Sequence, residues 1–317
     1  MVLNTYKLTA WQQLRYYVAF GIIYVVSLLP LPVLYVLSDM LFPLVYHVAR
    51  YRRKIVAKNL RESFPEKSDD ELRRIQRAFY HFLCDYFVEE LKLFSISPDE
   101  LRRRMVFKNY EQVEHYLRSG RSVILYFGHY CNWDWISAIP LYMWDGFRGS
   151  QVYHVLENHV ADKLMLYPRA RMGNKNVAMH EVLRYIVNSH KAGQPVGIGM
   201  ASDQVPTWNN IGHWLTFLNH PNTPVLVGAE KLARRFDIAC MYLDIRRPRR
   251  GYYEATFHLV TDTPQTDAPM AQTEKYYSML EQTIRREPHL WLWTHNRWKR
   301  TREQYDAMYG DKAKQPN

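Results

Sequence analysis

A histidine and an aspartate, His129 and Asp134, follow an apolar run that ends at Gly128. An apolar, β-branched run of this length indicates a buried strand, and the glycine marks the turn after it. Histidine accepts a proton near pH 7, and a carboxylate can fix its tautomer and stabilise the imidazolium. With His129 as general base, this pair could deprotonate a hydroxyl for attack on an acyl group. A helix-capping histidine beside a solvated aspartate is the alternative that the spacing leaves open.

Three further clusters lie where predicted strands or helices end, the places where function concentrates. Arg169 and Arg171 follow a helix and could stabilise an oxyanion or bind a phosphate, as a guanidinium does well. Asp203 and Gln204 follow a strand and could bind substrate hydroxyls or orient Arg171. A solvated basic turn and a turn-capping aspartate are the ordinary alternatives. The third cluster, residues 291–300, interleaves aromatic and basic side chains, which suits nucleic acid or a headgroup-level membrane surface.

Direct transfer of an acyl group from a thioester to an alcohol requires a base and an oxyanion stabiliser but no nucleophilic residue. The chain has no G-x-S-x-G motif, which disfavours a serine hydrolase with an acyl-enzyme. Cys131 lies between His129 and Asp134 and is the alternative nucleophile. It is only two residues from His129 on a turn, and this spacing disfavours a productive cysteine–histidine pair. His154 and His159 do not form a metal signature.

Strands alternate with helices beyond residue 121, which predicts an α/β fold with a mostly parallel central sheet flanked by helices. The predicted strands are residues 122–127, 151–156, 196–201, 239–245 and 252–260. The predicted helices are residues 133–143, 158–167, 177–189, 225–235 and 270–286. We expect the basic turn at residues 246–251 to join the last two strands as an antiparallel hairpin at one edge. Upstream, Ser68 and Glu71 have the capping-box spacing that opens a helix.

The composition indicates an anionic partner, because 42 Lys and Arg against 31 Asp and Glu give a net charge of +11. Residues 16–38 carry no charge, and these 23 positions exceed the roughly 20 that a helix needs to cross a bilayer. Pro30 and Pro32 interrupt the run, so two short interfacial helices fit as well as one kinked span. Four cations follow and could bind anionic headgroups: Arg50, Arg52, Arg53 and Lys54. Three scattered cysteines favour a reducing, cytosol-facing location.

These motifs, taken in order, extend over nearly the whole chain. They are Arg52-Arg53, Asn59-Leu60, residues 63–66, His129 with Asp134, Arg171-x-Gly173, Asp203-Gln204 and residues 293–299. Together they resemble the late acyltransferases of lipid A biosynthesis, the lauroyl- and myristoyl-transferase family within the H-x4-[DE] glycerolipid acyltransferase-like group. The resemblance implies a glycerolipid acyltransferase-like fold with an amino-terminal hydrophobic membrane anchor at residues 1–50. An acyltransferase domain would follow at residues 51–310, and a disordered tail at residues 311–317.

The resemblance also implies the function. A membrane-bound acyltransferase would move a fatty acyl chain from an acyl carrier protein thioester to a hydroxyl of a lipid A precursor. Its expected catalytic residues are His129, Asp134 and Arg171, and its expected substrate-binding residues are Arg169, Asp203, Gln204, His295 and Arg297. We expect no cofactor and no metal, with acyl carrier protein or acyl-CoA bringing the co-substrate. The expected partners are the carrier protein, an anionic membrane lipid and the membrane, not nucleic acid. The catalytic domain would face the cytoplasm at the inner membrane.

The chain departs from the family pattern after Asp203-Gln204. Phe217-Leu218-Asn219 is the nearest match to the usual Phe-Phe-Gly element, and residues 205–210 are an unusual insert. Both lie where substrate is expected, so the acceptor and the acyl length stay open. Acylation of another membrane lipid (an aminolipid, glycolipid or lysophospholipid) is one alternative. A membrane-tethered protein that binds anionic lipid or nucleic acid is the alternative from another class.

Overall fold

A computed structural model describes residues 7–310 of the chain; the tail predicted to be disordered lies outside them. The main sheet contains β1 (Met105–Lys108), β2 (Val123–Phe127), β3 (Gly149–Tyr153), β4 (Lys175–Ala178), β5 (Gly197–Ala201), β8 (Ala239–Arg249) and β9 (Tyr252–Thr261). A separate antiparallel hairpin is formed by β6 (His213–Phe217) and β7 (His220–Val225). The order of strands in the main sheet is β1-β9-β8-β2-β5-β3-β4, and every neighbouring pair except β8–β9 is parallel.

Helices precede the sheet and connect its strands. They are α1 (Ala10–Ser27), α2 (Leu31–Pro43), α3 (Arg53–Ser63), α4 (Asp69–Lys92), α5 (Pro98–Arg104), α6 (Glu111–Arg118), α7 (His159–Ala170), α8 (Val182–Lys191), α9 (Gly228–Phe236), α10 (Ala271–Arg286) and α11 (Arg302–Tyr309). The predicted α/β class, with a mostly parallel sheet and flanking helices, is confirmed. Because β2 lies near the middle of the sheet, its carboxyl end has a neighbouring strand on each side.

Four local predictions were wrong. The helix expected from residue 133 is a 3-10 segment, Trp135–Tyr142, whose Pro140 cannot supply the N–H of a regular α-helix. Strand β4 was not predicted, because Val177 and Ala178 were assigned to the helix expected from residue 177, which begins at Val182. The β6–β7 hairpin was not predicted either, since β7 carries two prolines that hide its pattern. Val225 ends β7, and the helix expected to begin there starts at Gly228. The β8–β9 hairpin is antiparallel as expected but not at an edge, because β1 pairs with β9.

Helix α4 is the element that links the amino-terminal helices to the sheet. Ser68 caps it through a capping box with Glu71, as the sequence predicts. Its apolar face is buried, with Phe79 fully inside the core. Its carboxyl end meets the turn after α1, where Lys92 Nζ donates to the carbonyl oxygens of Ser27 and Leu29 at 3.1 Å each.

The first two helices, α1 and α2, have one side buried in the protein and apolar side chains exposed on the other. Leu31 and Leu34 of α2 lie in the core, whereas Ile22, Val25 and Met40 are each more than 60% exposed. The helical segment Leu31–Val48 is 18 residues long with a mean hydropathy of 1.5, so it is long and apolar enough to cross a membrane by length and composition. The two helices therefore present a broad apolar surface to the exterior.

Candidate active site

The pairing of β2 with β5 brings His129 and Asp203 together. Phe127 lies opposite Ala201 in this parallel pair, so the residues two positions beyond each strand end at the same edge of the sheet. The Nδ1–H of His129 donates to Oδ1 of Asp203 at 2.7 Å. The backbone N–H of His129 donates to Oδ2 of the same carboxylate at 2.9 Å. Asp203 thus fixes both the position and the tautomer of the imidazole.

The Asp203 carboxylate is buried but ionised. Burial by itself would raise its pKa, yet His129 and hydrogen bonds from His129 and Trp291 lower the pKa to about 2. Trp291 Nε1 donates to Oδ2 at 2.8 Å. Gly128 makes this approach possible, because a Cβ at that position would come within 2.7 Å of Leu280 Cδ1 and 3.3 Å of Asp203 Oδ2.

The other ring nitrogen of His129 faces Gln204. Because Nδ1 carries the proton that Asp203 accepts, Nε2 is the free base, and Nε2 of Gln204 donates to it at 3.1 Å. A substrate hydroxyl that transfers its proton to His129 must occupy this position. Gln204, expected to bind substrate hydroxyls, therefore lies where such a hydroxyl would replace it.

Asp134 was expected to orient His129 by contacting its Nδ1. The structure places Asp203, not Asp134, against that nitrogen. Asp134 is buried, accepts from Arg169 Nε at 2.5 Å and accepts from Tyr86 Oη at 2.6 Å. Burial raises the pKa of Asp134, but Arg169 and Tyr86 bring it below its usual range. The neighbouring Glu90 is half-buried, and desolvation and the Asp134 charge raise its pKa well above the usual range.

The last turns of α4 fix the turn between His129 and Asp134. Glu89 is fully buried and its Oε2 accepts from Asn132 Nδ2 at 2.7 Å, while Oδ1 of Asn132 accepts from the N–H of Trp135 at 3.0 Å. Tyr35 of α2 and Tyr253 of β9 donate to the same carboxyl group at 2.8 and 2.7 Å. Burial raises the pKa of Glu89. Helix α2 and the site turn thus share one buried hydrogen-bond acceptor.

The aromatic segment near the carboxyl end fixes the same turn from the other side. The N–H of Leu292 donates to the carbonyl of His129, and the N–H of Cys131 donates to that of Leu290, both at 3.0 Å. Asn59 holds this segment through two 3.0 Å hydrogen bonds to the carbonyls of Trp293 and His295. Arg52 donates to the carbonyl of Thr294 at 3.0 Å, so one of the cations expected to bind headgroups is used inside the fold.

The surroundings of Cys131 disfavour a nucleophilic role. Its side chain is fully buried, and burial raises the pKa of its thiol well above the usual value. Its backbone has a φ of 53°, a left-handed conformation that is uncommon for a residue other than glycine. Backbone strain of this kind accumulates at functional sites, and here it occurs two residues after His129.

Three predicted site residues lie away from the pocket around His129. Arg171 Nη1 donates to the carbonyls of Leu93 and Ile96, at 2.7 and 3.1 Å, so it secures the end of α4 rather than approaching His129. Arg297 is fully buried and donates to the carbonyl of Pro224 at 2.8 Å, which leaves no exposed surface for substrate. His295 Nε2 accepts from the N–H of Val205 at 3.2 Å, and burial with nearby Arg297 lowers its pKa to about 4.

A pocket of about 510 Å³ opens beside His129. Its volume is within the range of small-molecule sites. Its wall has polar side chains, among them Asp134, Arg169 and Gln204, and the Trp133 ring lies edge-on to the His129 ring. The wall also has apolar residues, which include Val152, Tyr153, Met165, Leu166, Val182, Met200 and Leu232. The pocket can therefore hold an extended apolar chain whose reacting end meets the base and a guanidinium.

The residues that sequence reasoning missed are Tyr86, Glu89 and Glu90. A signal for them was present, because they are polar groups at i, i+3 and i+4 beside the apolar stripe of a helix. Polar groups on a buried helix face require partners, and here the partners are Asp134 and Asn132. Trp291 belongs to the aromatic and basic cluster that the sequence singled out, but its contact with Asp203 was not predicted, because that contact depends on the path of a distant segment.

A carboxylate–histidine pair at the carboxyl edge of an α/β sheet, beside a pocket with polar and apolar walls, suits acid–base catalysis on a substrate with an apolar part. The chain belongs to the bacterial lipid A biosynthesis acyltransferase family, whose pattern it matches over residues 5–300. It is 23% identical over 293 residues to a lipid A biosynthesis lauroyltransferase of Escherichia coli (strain K12), covering 91% of this chain and 92% of that protein. The expected family is confirmed, and the protein is an acyltransferase of that family.

Proposed function

We propose that this enzyme transfers a fatty acyl chain from an acyl carrier protein thioester to a hydroxyl of a lipid A precursor. The observation that carries the proposal is the 2.7 Å contact of His129 Nδ1 with Asp203, which leaves Nε2 as a base facing the pocket. The family and the lauroyltransferase relative support a lipid A precursor as acceptor and a fatty acyl chain as the group transferred. A net charge of +11 suits an acidic carrier protein and a phosphorylated lipid.

The proposed reaction is direct. The acceptor hydroxyl replaces Gln204 at Nε2 of His129, gives up its proton there, and its oxygen attacks the thioester carbonyl. The C–S bond of the tetrahedral intermediate then breaks, and the leaving thiolate takes the proton back from the imidazolium. Asp203 stabilises the imidazolium in between. No residue becomes acylated, and no cofactor takes part in these steps.

We assign the oxyanion role to Arg169 instead of Arg171. Arg169 lines the pocket together with His129, and its Nε bond to Asp134 fixes the plane of the guanidinium. A guanidinium held in this way can donate to the thioester oxygen as negative charge develops there. Asp134 is then the residue that positions Arg169.

We place the enzyme at the inner membrane with the catalytic domain on the cytoplasmic side, where the carrier protein is found. The exposed apolar side chains of α1 and α2 would enter the lipid phase, and Arg50 and Lys54, both exposed, would meet anionic headgroups. Long apolar acceptors could then reach the pocket from the bilayer without crossing water.

The test is an assay of the full-length enzyme in detergent with acyl carrier protein carrying a fatty acid and a lipid A precursor, analysed by mass spectrometry. We expect a product heavier by one acyl group, and no product from His129→Ala. Transfer at the wild-type rate by His129→Ala would refute the mechanism. Acylation of a phospholipid or glycolipid in place of the precursor would refute the acceptor but keep the reaction.

A further inference from the structure

The outer wall of the pocket is a loop that the family resemblance did not explain. Residues 205–210 follow Gln204 directly and form what we call the mouth loop. Val205, Pro206, Thr207 and Asn210 of this loop line the pocket. Thr207 and Asn210 are exposed, whereas Pro206 is buried. The loop therefore has an inner side fixed to the protein and a polar rim at the pocket entrance.

The mouth loop is held from the carboxyl-terminal segment. Arg300 Nη1 donates to the carbonyl of Pro206 at 2.7 Å, and its guanidinium lies 5.3 Å from the ring centre of Trp208. Tyr309 in α11 donates to Oδ1 of Asn209 at 2.8 Å. These contacts come from two different elements, so the loop has a defined position without a ligand.

The polar rim of the mouth loop consists of Thr207 and Asn210, which are hydrogen-bonded to each other. Nδ2 of Asn210 donates to Oγ1 of Thr207 at 2.8 Å. The Thr207 hydroxyl keeps its own proton for donation, and Oδ1 of Asn210 remains an acceptor. A donor beside an acceptor complements a hydroxyl-rich headgroup, which can accept one hydrogen bond and donate another.

The acceptor is the substrate that passes this rim. Its hydroxyl must reach Nε2 of His129, where Gln204 now donates at 3.1 Å, and the mouth loop continues from Gln204. The thioester carbonyl, by contrast, must lie toward Arg169, and its acyl chain toward the apolar wall with Leu166 and Val182. We therefore expect the two substrates to contact different parts of the pocket lining.

We propose that Thr207 and Asn210 bind the hydroxyl-bearing headgroup of the acceptor lipid, and that Arg300 and Tyr309 are positioning residues for them. This inference rests on the proposed acyl transfer. It makes the mouth loop the element that selects the acceptor, whereas the apolar wall selects the acyl chain.

The experiment compares Thr207→Val and Asn210→Ala with wild type in full-length enzyme, varying acceptor and donor separately. We expect the KM for the acceptor to rise about 3- to 10-fold for each variant, the value of one hydrogen bond, with kcat and the donor KM unchanged. Thr266→Val, an exposed threonine in the loop before α10, is the matched control and should change nothing. Arg300→Ala should raise the acceptor KM in the same way without changing kcat.

A rise in the donor KM alone would overturn the inference, because the loop would then contact the carrier arm. Unchanged kinetics in both mouth-loop variants would overturn it too. Release of thiol from the donor in the absence of acceptor requires His129 and water but not Thr207 or Asn210. Its rate should therefore be equal in wild type, Thr207→Val and Asn210→Ala. If wild type releases thiol but acylates neither a lipid A precursor nor a phospholipid or glycolipid, the proposed function fails and this inference with it.

Discussion

His129 Nδ1 and Asp203 Oδ1 lie 2.7 Å apart although 74 residues separate them in the chain. The two residues meet because β2 and β5 are parallel neighbours whose last residues, Phe127 and Ala201, are paired. Asp203 receives hydrogen bonds from both the ring and the backbone of His129, whereas Asp134 receives them from Arg169 and Tyr86. The Asp203 carboxylate therefore orients the imidazole of His129, whereas the Asp134 carboxylate pairs with the guanidinium of Arg169.

Asp203→Asn should reduce kcat by about 10²- to 10⁴-fold, because an amide no longer stabilises the imidazolium or fixes the tautomer that leaves Nε2 free. The side chain keeps its size and one acceptor oxygen, so the fold should be retained. Steady-state kinetics and circular dichroism check both expectations. Asp237→Asn, at an exposed aspartate, is the control and should act as wild type. An Asp203→Asn enzyme within twofold of wild type would exclude Asp203 as the orienting group.

Asp134→Ala should destabilise the protein as well as inactivate it. The substitution leaves the nearly buried Arg169 guanidinium without its carboxylate, and breaking a buried ion pair in this way costs about 3–5 kcal/mol of unfolding free energy. Chemical denaturation measures the change. Asp70→Ala removes a fully exposed pair with Arg73 and should cost far less stability, because water screens that pair. Equal stability losses in the two variants would contradict the buried pairing.

Arg169→Lys should affect catalysis, whereas Arg171→Lys should affect stability. The first should lower kcat more than it changes either KM, because the charge on the thioester oxygen appears mainly in the transition state. The second should leave kcat near wild type and reduce stability by about 1–3 kcal/mol, since Arg171 satisfies two backbone carbonyls at the end of α4. Kinetics and thermal unfolding of both variants decide. A larger kcat loss in Arg171→Lys would return the oxyanion role to that residue.

The sequence predicted the α/β class, the strand before Gly128 and the position of His129 at its end, because these depend on local periodicity and a turn residue. It did not predict which acid contacts Nδ1. That choice depends on which strand lies beside β2, and periodicity carries no information on strand order. Asp134 was nearer in sequence, yet Asp203 is nearer in space.

The positions of the arginines were not predicted either, for a related reason. Arg169 lies in the last turn of α7 and Arg171 caps that helix, and side chains two positions apart there point in different directions, so only the fold decides which of them meets the pocket. Arg169 faces Asp134, whereas Arg171, next to Met172 and Gly173, turns toward the carbonyls that end α4. Likewise Arg297 is fully buried, although the mixed aromatic and basic composition of residues 291–300 suggested an exposed binding surface.

The exposed apolar side of α1 and α2 should bind lipid. A variant with Ile22→Asn, Val25→Asn and Met40→Asn removes three side chains that are 63–67% exposed, so it should fold normally but lose at least tenfold in vesicle partitioning. Flotation with vesicles of mixed zwitterionic and anionic lipid measures this. Leu259→Asn, at an exposed leucine of β9, is the control and should float as wild type. Unaltered flotation of the triple variant would exclude this surface as the anchor.

Stability should fall as the pH drops from about 6.5 to about 4, in part through His220. Burial, with Lys58 and Arg297 nearby, lowers the pKa of folded His220 to about 4, whereas an unfolded histidine has a pKa near 6.5. Between these values the unfolded chain binds the proton and the folded chain does not, so acid favours unfolding. The His220 ring is stacked on Trp298 with centroids 3.7 Å apart, and a phenylalanine can keep that stacking without titrating. His220→Phe should therefore lose less in Tm than wild type between pH 7.5 and 5, and an equal loss in both proteins would show that His220 does not contribute.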